Sequence, residues 1–310
     1  MRKVALLYNP LSGSRHEHRL AVAKSVESVL KEAGVQVVAT PTQAGSGTGR
    51  QVSQAIAEGC DTIMACGGDG TVHDVIQSLV GTDTPLAIIP LGTANALAHD
   101  LGLPLTPVTA ARAALTAQPR RIATGKVIYQ DLSGNPGTRY FTVALGIGAD
   151  ARLFHELDSS LKVNFGMMAY YAKATWLWLT LDMQKFAAEF ATGPGPLRKA
   201  EVTELLAVRI RNFGGVLREL APGASLDRDD LRLVLFHTKS RIKYLHYIVR
   251  GLFGARWQIE GIELAHSTGL RCISLGDSLV HLEADGEILG TLPAEVTVVP
   301  DALTILAPQP

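Results

Sequence analysis

The chain has 310 residues, of which 47% are hydrophobic and 19% are charged. This composition allows a large buried core and excludes a chain that is disordered throughout. The 29 Lys and Arg residues balance the 29 Asp and Glu residues, so a nucleic-acid partner held by bulk positive charge is not expected. No run approaches the ~20 apolar residues of a membrane-spanning helix. Cys60, Cys66 and Cys272 lack metal-ligand spacing and predict reduced thiols in a cytoplasmic protein.

The first third of the chain alternates strand-like and helix-like segments. Apolar runs bounded by turn residues predict strands at residues 4–8, 35–39, 62–65 and 86–90. Helical spacing of apolar residues predicts helices at residues 16–31, 51–58, 72–80 and 94–100. Strands that alternate with helices in this way are typical of a doubly wound α/β sheet with parallel strands.

Three loops rich in small polar residues follow predicted strands of this sheet. They are residues 9–14, 67–71 and 91–93. The carboxyl ends of parallel strands meet at one edge of a sheet, where α/β folds bind their ligands. We therefore expect the three loops to converge on one ligand.

The second of these loops carries the strongest single signal. The segment Ala65-Cys-Gly-Gly-Asp-Gly-Thr71 sets three glycines around one carboxylate, between a buried strand and the start of a helix. Glycine lets the backbone turn sharply and approach a ligand closely. A helix N-terminus then offers N–H groups and a positive dipole end to an anion. The segment predicts a phosphate-binding turn with an acid built into it, and hence nucleotide chemistry.

The pattern changes after Pro119. Short β-rich runs separated by Gly, Pro and Asn turns lie at residues 126–129, 140–144, 204–212, 231–237, 271–275, 280–284 and 295–299, with one helical insert near residues 165–187. They predict a second, all-β domain of the sandwich or barrel type. The expected boundaries are 1–122 for a nucleotide-binding α/β domain and 123–299 for the β-rich domain. The tail, residues 300–310, is expected to pack back on the first domain.

Four segments together carry a family resemblance. They are Asn9-Pro-Leu-Ser-Gly13, Gly67-Gly-Asp-Gly-Thr71, Pro90-Leu-Gly-Thr-Ala-Asn95 and Asp285-Gly-Glu287. In their order and spacing the chain resembles, over nearly its whole length, the diacylglycerol kinase catalytic-domain family, which includes bacterial soluble lipid kinases and the sphingosine and ceramide kinases. The glycine-aspartate segment alone is shared with NAD kinases and phosphofructokinases. The third segment favours the lipid kinases.

The resemblance implies an ATP-dependent lipid kinase that uses Mg²⁺, with ATP bound by the first domain and the lipid covered by the second. It implies a nucleotide site formed by Asn9, Pro10, Ser12, Gly13, Thr42, Gly67, Gly68, Asp69, Gly70, Thr71, Gly92, Thr93 and Asn95. It also implies that Asp69, Asp285 and Glu287 supply the Mg²⁺ ligands and the general base. Which of these carboxylates accepts the proton stays open.

Several positions depart from the family's wording. Ala96 and Ala123 stand where bacterial diacylglycerol kinases usually have Asp, and an alanine at position 96 resembles the sequence pattern of the sphingosine kinases. The lipid substrate is therefore open between diacylglycerol or a related lipid and a sphingosine or ceramide type. A nucleotide-binding regulator that has lost catalysis is a further alternative. In Asp227-Arg-Asp-Asp-Leu-Arg232 an arginine replaces the last acid of the family's structural metal site, so that site is expected to be absent or altered.

Two segments allow two interpretations each. Asp285-Gly286 is also typical of a tight hairpin turn, which is compatible with a catalytic role. A stretch of bases and aromatics is either a solvated helix face or a membrane-surface contact; it contains Arg241, Lys243, Tyr244, Tyr247, Arg250, Phe253, Arg256 and Trp257. We expect a cytoplasmic protein that associates peripherally with membranes, and a homodimer is left open.

Overall fold

The computed structural model describes residues 1–10, 16–43, 47–156, 176, 180, 182–214, 219–253 and 257–308. The chain divides into two compact units. Unit 1 comprises Met1–Thr124, Asn212–Arg218 and Val299–Pro310, and unit 2 comprises Gly125–Arg211 and Glu219–Val298. In the described part of the chain, no helix is long and apolar enough to span a bilayer. The three cysteines are buried free thiols.

Unit 1 is built from alternating strands and helices. In chain order they are β1 (Lys3–Tyr8), α1 (His16–Glu32), β2 (Gln36–Pro41), α2 (Gly47–Ala57), β3 (Thr62–Gly67), α3 (Asp69–Leu79), β4 (Leu86–Pro90), α4 (Ala96–Asp100) and α5 (Pro107–Thr116). The predicted alternation is confirmed, and α5 is an addition that the sequence patterns did not predict. Its alanine-rich sequence offers a weak apolar periodicity.

The strands of unit 1 form a parallel sheet in the order β2–β1–β3–β4. The C-terminal part of the last strand, β15 (Glu287–Ala307), adds beside β4, where Ile305 pairs with Leu86. Helices α1 and α5 share one apolar core with this sheet, and α2 packs with α3, which contacts β3. The strand order reverses between β1 and β3, so the fold places its ligand-binding edge beyond their carboxyl ends.

Unit 2 is rich in antiparallel strands. Its elements are β5 (Gln118–Asp131, which begins in unit 1), β6 (Pro136–Phe141), β7 (Ala144–Gly148), α6 (Ala149–Glu156), β8 (Phe186–Phe190), β9 (Arg198–Val202), β10 (Glu204–Val208), β11 (Leu231–Phe236), α7 (Arg241–Leu252), β12 (Ile262–Ser267), β13 (Gly269–Ser274), β14 (His281–Ala284) and the first half of β15. Strands β12–β11–β10–β7–β14 lead to β15, and β9–β8–β13 lead to it from another direction. A core that includes Phe141, Phe186 and Phe190 fills this sandwich.

The predicted fold class, an α/β unit followed by a β-sandwich-like unit, is confirmed. The predicted helical insert near residues 165–187 needs a correction at its end, because Phe186 and Ala187 begin β8. Alternating burial of β8 explains this, since Phe186, Ala188 and Phe190 point into the sandwich core. Trp176 and Thr180 are helical, and residues 165–175, 177–179 and 181 lie outside the described residues.

Candidate active site

The loop after β1 is tied to the loop after β3. The N–H of Asn9 donates to the carbonyl of Cys66 over 3.2 Å. The Asn9 side-chain Nδ2 donates to Thr71 Oγ1 over 3.4 Å. Asn9 and Thr71, predicted nucleotide contacts from different loops, therefore lie side by side. Pro10 follows directly, whereas Ser12 and Gly13 lie outside the described residues.

The loops after β3 and β4 touch through their main chains. A Cβ added to Gly92 would lie 2.6 Å from Gly68 Cα, and one added to Gly68 would lie 3.0 Å from Gly92 Cα. The N–H of Leu91 also donates to the carbonyl of Gly67 over 2.8 Å. Any larger residue at either contact would push the loops apart, so glycine is required here by close approach.

Asn95 closes the third loop on itself. Its Oδ1 accepts the Gly92 N–H over 2.8 Å and its Nδ2 donates to the Gly92 carbonyl over 2.9 Å. The Asn95 backbone is left-handed, with φ of 48°, a conformation that Asn adopts more readily than most residues. Asn95 therefore shapes the loop in which Gly92 lies. Thr93, at the tip, is exposed.

Asp69 joins the second loop to the third. It is the first residue of α3, and its carboxylate accepts main-chain N–H groups from Asn95 over 2.8 Å and from Ala96 over 2.7 Å. Hydrogen bonds to a carboxylate are among the stronger ones in proteins. The sequence predicted a metal or acid role for Asp69 and gave no sign of this positioning contact.

Arg19 on α1 is a cation of this region that the sequence patterns did not single out. Its Nη1 donates to the carbonyl of Leu91 in the third loop over 2.5 Å. Burial raises the pKa of Cys66, at the end of β3, to about 12, and the Arg19 charge opposes that rise. A positive charge therefore lies beside the glycine loops. Helical spacing marked this segment as a helix, but spacing carries no sign of which side chain reaches a neighbouring loop.

The remaining predicted nucleotide contacts lie on the same edge. Thr42 follows β2, and its N–H donates to the Tyr8 carbonyl at the end of β1 over 2.8 Å. Gly70 lies in the first turn of α3. The described members of the predicted nucleotide set thus follow β1, β2, β3 and β4 at their carboxyl ends.

A further segment is anchored at the far end of α4. Asp100 Oδ1 accepts the Asn212 N–H over 2.8 Å, and the His99 ring lies where a Cβ on Gly214 would be. Residues 212–214 therefore pack in unit 1, although the predicted boundaries assigned them to the β-rich domain. Helix α4 begins at the third loop and ends at Asp100, so it connects that loop to residues 212–214.

In unit 2, Asp285 and Gly286 form the turn between β14 and β15. Their φ angles are 52° and 86°, and Ala284 pairs with Glu287 across the turn. A two-residue hairpin turn of type I′ needs positive φ at both positions, and Asp-Gly meets that need. The hairpin interpretation of this segment is confirmed.

The Asp285 carboxylate fastens this turn to the segment before β7. It accepts the N–H of Thr142 over 3.0 Å, that of Val143 over 2.9 Å and that of Ala144 over 3.1 Å. Glu287 lies two residues on, at the start of β15, where it is exposed to solvent. Of the two predicted acids in this turn, Asp285 is held by the main chain and Glu287 is exposed.

A cluster of three carboxyl groups, formed by the buried Glu204 and Glu283 and the half-buried Asp150, lies behind the turn. On the strands flanking β7, Glu204 pairs with Gly148 and Glu283 pairs with Gly146. Glu204 Oε2 accepts the Asp150 N–H over 3.0 Å. Glu283 Oε2 accepts the N–H of Gly286, in the turn itself, over 2.7 Å.

The carboxyl cluster favours protonated forms. Burial is the largest cause that raises the pKa of each of the three groups, and proximity of Asp150 raises the pKa of Glu204 and Glu283 further. Carboxyl groups that share a low-dielectric site cannot all ionise at low cost. The sequence patterns missed the cluster because its members are far apart in the chain and are brought together by the pairing of β7 with β10 and β14.

The segment 227–232 is organised by arginine. Arg228 Nε donates to Asp230 Oδ1 over 2.8 Å, and the buried Arg209 guanidinium donates to the carbonyls of Arg228 and Asp230 over 2.6 Å and 2.5 Å. Among the residues that the structure describes, no group of three or more His, Cys, Asp and Glu is arranged to hold a metal ion.

Family models match both units. Residues 3–127 match the diacylglycerol kinase catalytic domain, and residues 143–307 match the YegS C-terminal NAD kinase beta sandwich-like domain. The chain belongs to the diacylglycerol kinase catalytic-domain family. This family is a family of kinases. The chain is 29% identical over 317 residues to a diacylglycerol kinase of Mycobacterium tuberculosis (strain H37Rv), and the alignment covers 99% of this chain and 96% of that one.

Solved structures of related proteins have the same fold as this chain. A diacylglycerol kinase from Bacillus anthracis str. Sterne superposes with a TM-score of 0.74 at 20% identity, covering 99% of this chain and 97% of that one. Yeast NADH kinase complexed with NADH superposes with a TM-score of 0.53 at 12% identity, covering 100% of this chain and 84% of that one. At these identities the likeness concerns the fold alone.

Proposed function

We propose that this chain is an ATP-dependent lipid kinase, which transfers the γ-phosphoryl group of ATP to a hydroxyl of diacylglycerol or a related lipid. The observation that carries the proposal is the main-chain contact between Gly68 and Gly92 at the ligand-binding edge of the unit 1 sheet. Two glycine loops that meet beside a helix N-terminus let phosphate oxygens approach the main chain closely and reach the positive end of the helix. Membership of a lipid-kinase family supplies the class of acceptor.

Unit 1 is the proposed ATP-binding unit. In this proposal the loops at Gly68 and Gly92 bind the phosphates, and Arg19 neutralises part of their charge. Asn95 and Asp69 hold the loops in place through the hydrogen bonds described above. Phosphoryl transfer depends mainly on such positioning and charge stabilisation, since it needs little covalent help from the protein.

Mg²⁺ fits this site as an ion that enters with ATP. Kinase sites hold Mg²⁺ through one or two carboxylates, substrate phosphates and water, so a closed all-protein cage is not required. Of the three predicted ligands, Asp69 lies at the glycine loops, and we assign it to the hydrated ion. When bound, Mg²⁺ would neutralise developing charge on the transferred phosphoryl group.

Glu287 is the general base in this proposal. A base must reach the hydroxyl whose proton it removes, and Glu287 is exposed, whereas Asp285 accepts three main-chain N–H groups. The lipid hydroxyl oxygen forms a bond to the γ-phosphorus, the bond from that phosphorus to the β–γ bridging oxygen breaks, ADP leaves, and the hydroxyl proton passes to Glu287. Asp285 acts as a positioning residue for the turn.

A transfer assay tests the proposed function. The protein is incubated with γ-labelled ATP, Mg²⁺ and vesicles that contain diacylglycerol, monoacylglycerol, sphingosine, ceramide or phosphatidylglycerol. We expect label in diacylglycerol or a related glycerolipid. Transfer to none of these lipids, with nucleotide binding intact, would contradict the proposal and favour a regulatory protein.

A sphingosine or ceramide kinase is the second candidate, and Ala96 favours it. Ala96 and Ala123 are buried at 6% and 2% exposure, so an aspartate at either position would be a buried carboxylate of unit 1. Ala96 lies at the start of α4, where its N–H donates to Asp69. The same lipid panel separates the candidates, because label in sphingosine or ceramide would replace label in diacylglycerol.

A further inference from the structure

Helix α7 presents the wrong face to solvent for an ordinary surface helix. Most of its exposed residues are apolar: Ile242 is 80% exposed, Leu245 is 51% exposed and Phe253, directly after the helix, is 78% exposed. Its inward face carries Tyr247 and Arg250, which are 1% and 3% exposed. A surface helix of a globular protein normally turns its apolar stripe to the core and its polar residues to water.

Polar contacts fix this orientation. The hydroxyl of Tyr244 lies 2.9 Å from Thr203 Oγ1, and the Tyr244 ring stacks on Phe236 with centroids 4.4 Å apart. The Tyr247 hydroxyl donates to the Leu220 carbonyl over 2.5 Å. Rolling the helix to bury its apolar face would break these hydrogen bonds inside the unit, where an unsatisfied polar group is costly.

Arg250 locks the same face. Its guanidinium carbon lies 4.2 Å from the centroid of the Tyr247 ring, and its Nη2 donates to the Leu220 carbonyl over 3.5 Å. A buried cation that stacks on an aromatic ring is a strong inward anchor. The outward position of Ile242, Leu245 and Phe253 is thus imposed by the contacts of the opposite face.

The charges of the helix narrow the choice of what covers the apolar face. Helix α7 contains three permanent cations, Arg241, Lys243 and Arg250, and no acid. Lys243 pairs with the exposed Glu260 over 3.0 Å. Trp257, which is partly exposed, lies against His246 with ring centroids 5.5 Å apart. Arg250 faces inward, but Arg241 and Lys243 lie at the same end of the helix as Ile242 and Leu245. Together with Trp257 they complement the acyl boundary and the negative headgroups of an anionic bilayer.

We propose that the outward face of α7, formed by Ile242, Leu245, Leu252 and Phe253, docks on the surface of an anionic lipid bilayer. The choice of a bilayer rests on the proposed function, because a long-chain lipid acceptor is presented to the kinase in a membrane. The helix lies in the headgroup region and does not cross the bilayer. The docking face belongs to unit 2, the unit that carries Glu287.

Vesicle sedimentation tests the docking face. The full chain is compared with the triple variant Ile242→Ser, Leu245→Ser, Phe253→Ser, on phosphatidylcholine vesicles with and without phosphatidylglycerol. The matched control carries Leu132→Ser, Leu197→Ser and Leu279→Ser, three exposed leucines elsewhere in unit 2. We expect the α7 variant to bind anionic vesicles at least about tenfold more weakly, the control to bind like the parent, and binding of the parent to fall on neutral vesicles and in high salt.

Two further measurements separate this proposal from the proposed function. Phosphate transfer to a short-chain diacylglycerol that is soluble as a monomer is expected to be the same for the parent and the α7 variant, since the acceptor then needs no membrane. Size-exclusion chromatography with light scattering reports self-association. The docking proposal is overturned if the parent fails to bind anionic vesicles, if the α7 variant binds them like the parent, or if the variant only converts a dimer to a monomer. If the α7 variant loses vesicle binding and the parent transfers phosphate to no lipid, docking stands and the kinase proposal fails.

Discussion

The glycine loops of unit 1 and the Asp285 turn of unit 2 use acid groups in different ways. In unit 1, Asp69 holds two loops together by accepting main-chain N–H groups. In unit 2, Asp285 also accepts main-chain N–H groups and holds one turn. The difference is that the carboxyl cluster of Asp150, Glu204 and Glu283 lies behind this turn. Burial raises the pKa of each cluster member. The difference teaches that a half-buried carboxylate surrounded by main-chain N–H groups fixes a loop, whereas carboxyl groups buried beside one another favour the protonated form.

The largest expected effect on nucleotide binding breaks the unit 1 side of this comparison. Replacing Gly92→Ala places a Cβ 2.6 Å from Gly68 Cα, so the two loops must separate. We expect ATP affinity to fall about 100-fold, the scale of effect that a displacement of about 1 Å can have on positioned groups. Isothermal titration with ATP measures it.

A matched glycine variant controls for the loss of glycine itself. A Cβ on Gly195 in unit 2 would meet no atom within 4 Å, so Gly195→Ala should leave ATP affinity unchanged. Equal affinities of Gly92→Ala and the parent would show that the loop contact does not support the nucleotide site.

The second effect breaks the unit 2 side. Asp285→Asn removes one oxygen from a carboxylate that accepts three main-chain N–H groups. We expect the free energy of unfolding to fall by about 2 kcal/mol, the scale of a hydrogen bond to a charged group. Urea denaturation measures this loss. Asp277→Asn, at an exposed position of the same unit, is the control, and an equal stability of both variants would refute the positioning role.

The third prediction concerns pH and sharpens the contrast between fixed and protonated acids. Because burial raises the pKa of Glu204, the folded state binds more protons than the unfolded state. The stabilising contribution is complete below the unfolded pKa of about 4.3 and is lost as pH rises through the folded pKa. The expected slope is at most about 1.4 kcal/mol per pH unit for one group.

Glu204→Gln should flatten this part of the stability curve. Other carboxyl groups, such as Asp61 and Glu263, have lowered pKa values and give the opposite slope, so the parent curve alone decides nothing. The informative quantity is the difference between parent and variant from pH 4 upwards, with exposed Glu295→Gln as the control. A difference that does not change with pH would mean that Glu204 carries no extra proton in the folded state.

The smallest effect concerns the cation at the glycine loops. Arg19→Ala should weaken ATP binding about tenfold through loss of one charge-assisted contact, and Arg19→Lys should restore part of it. Arg50→Ala, at an exposed position of unit 1, should have no effect. Binding that responds equally to Arg19→Ala and Arg50→Ala would leave Arg19 without a special role.

Unit 1 could be predicted well from the sequence because its signals are local. Buried parallel strands such as β3 read as continuous apolar runs, and glycine loops follow them directly. The turn at Asp285-Gly286 is likewise a local signal. The sequence could not predict that Asp69 and Asp285 hold loops in place, because their hydrogen-bond donors at residues 95–96 and 142–144 are brought to them by tertiary contacts.

Unit 2 was predicted less completely for the same reason. Strands β8, β9 and β12 were not predicted, since short half-buried strands have no strong pattern. The carboxyl cluster depends on the register of β7 with two strands from distant parts of the chain. The basic and aromatic stretch predicted either a solvated helix or a membrane contact, and which of its faces is outward became visible only with the contacts of Tyr244 and Tyr247.

The most direct test of the central claim is the rate of γ-phosphoryl transfer to the lipid acceptor by the Glu287→Gln variant, with ATP affinity measured on the same sample. Glu295→Gln, an exposed glutamate farther along β15, is the control. The account predicts that Glu287→Gln loses about 100-fold to 10,000-fold in rate, the usual range for removal of a general base, while ATP affinity and the rate of Glu295→Gln match the parent. A Glu287→Gln rate close to the parent rate would contradict the assignment of the base.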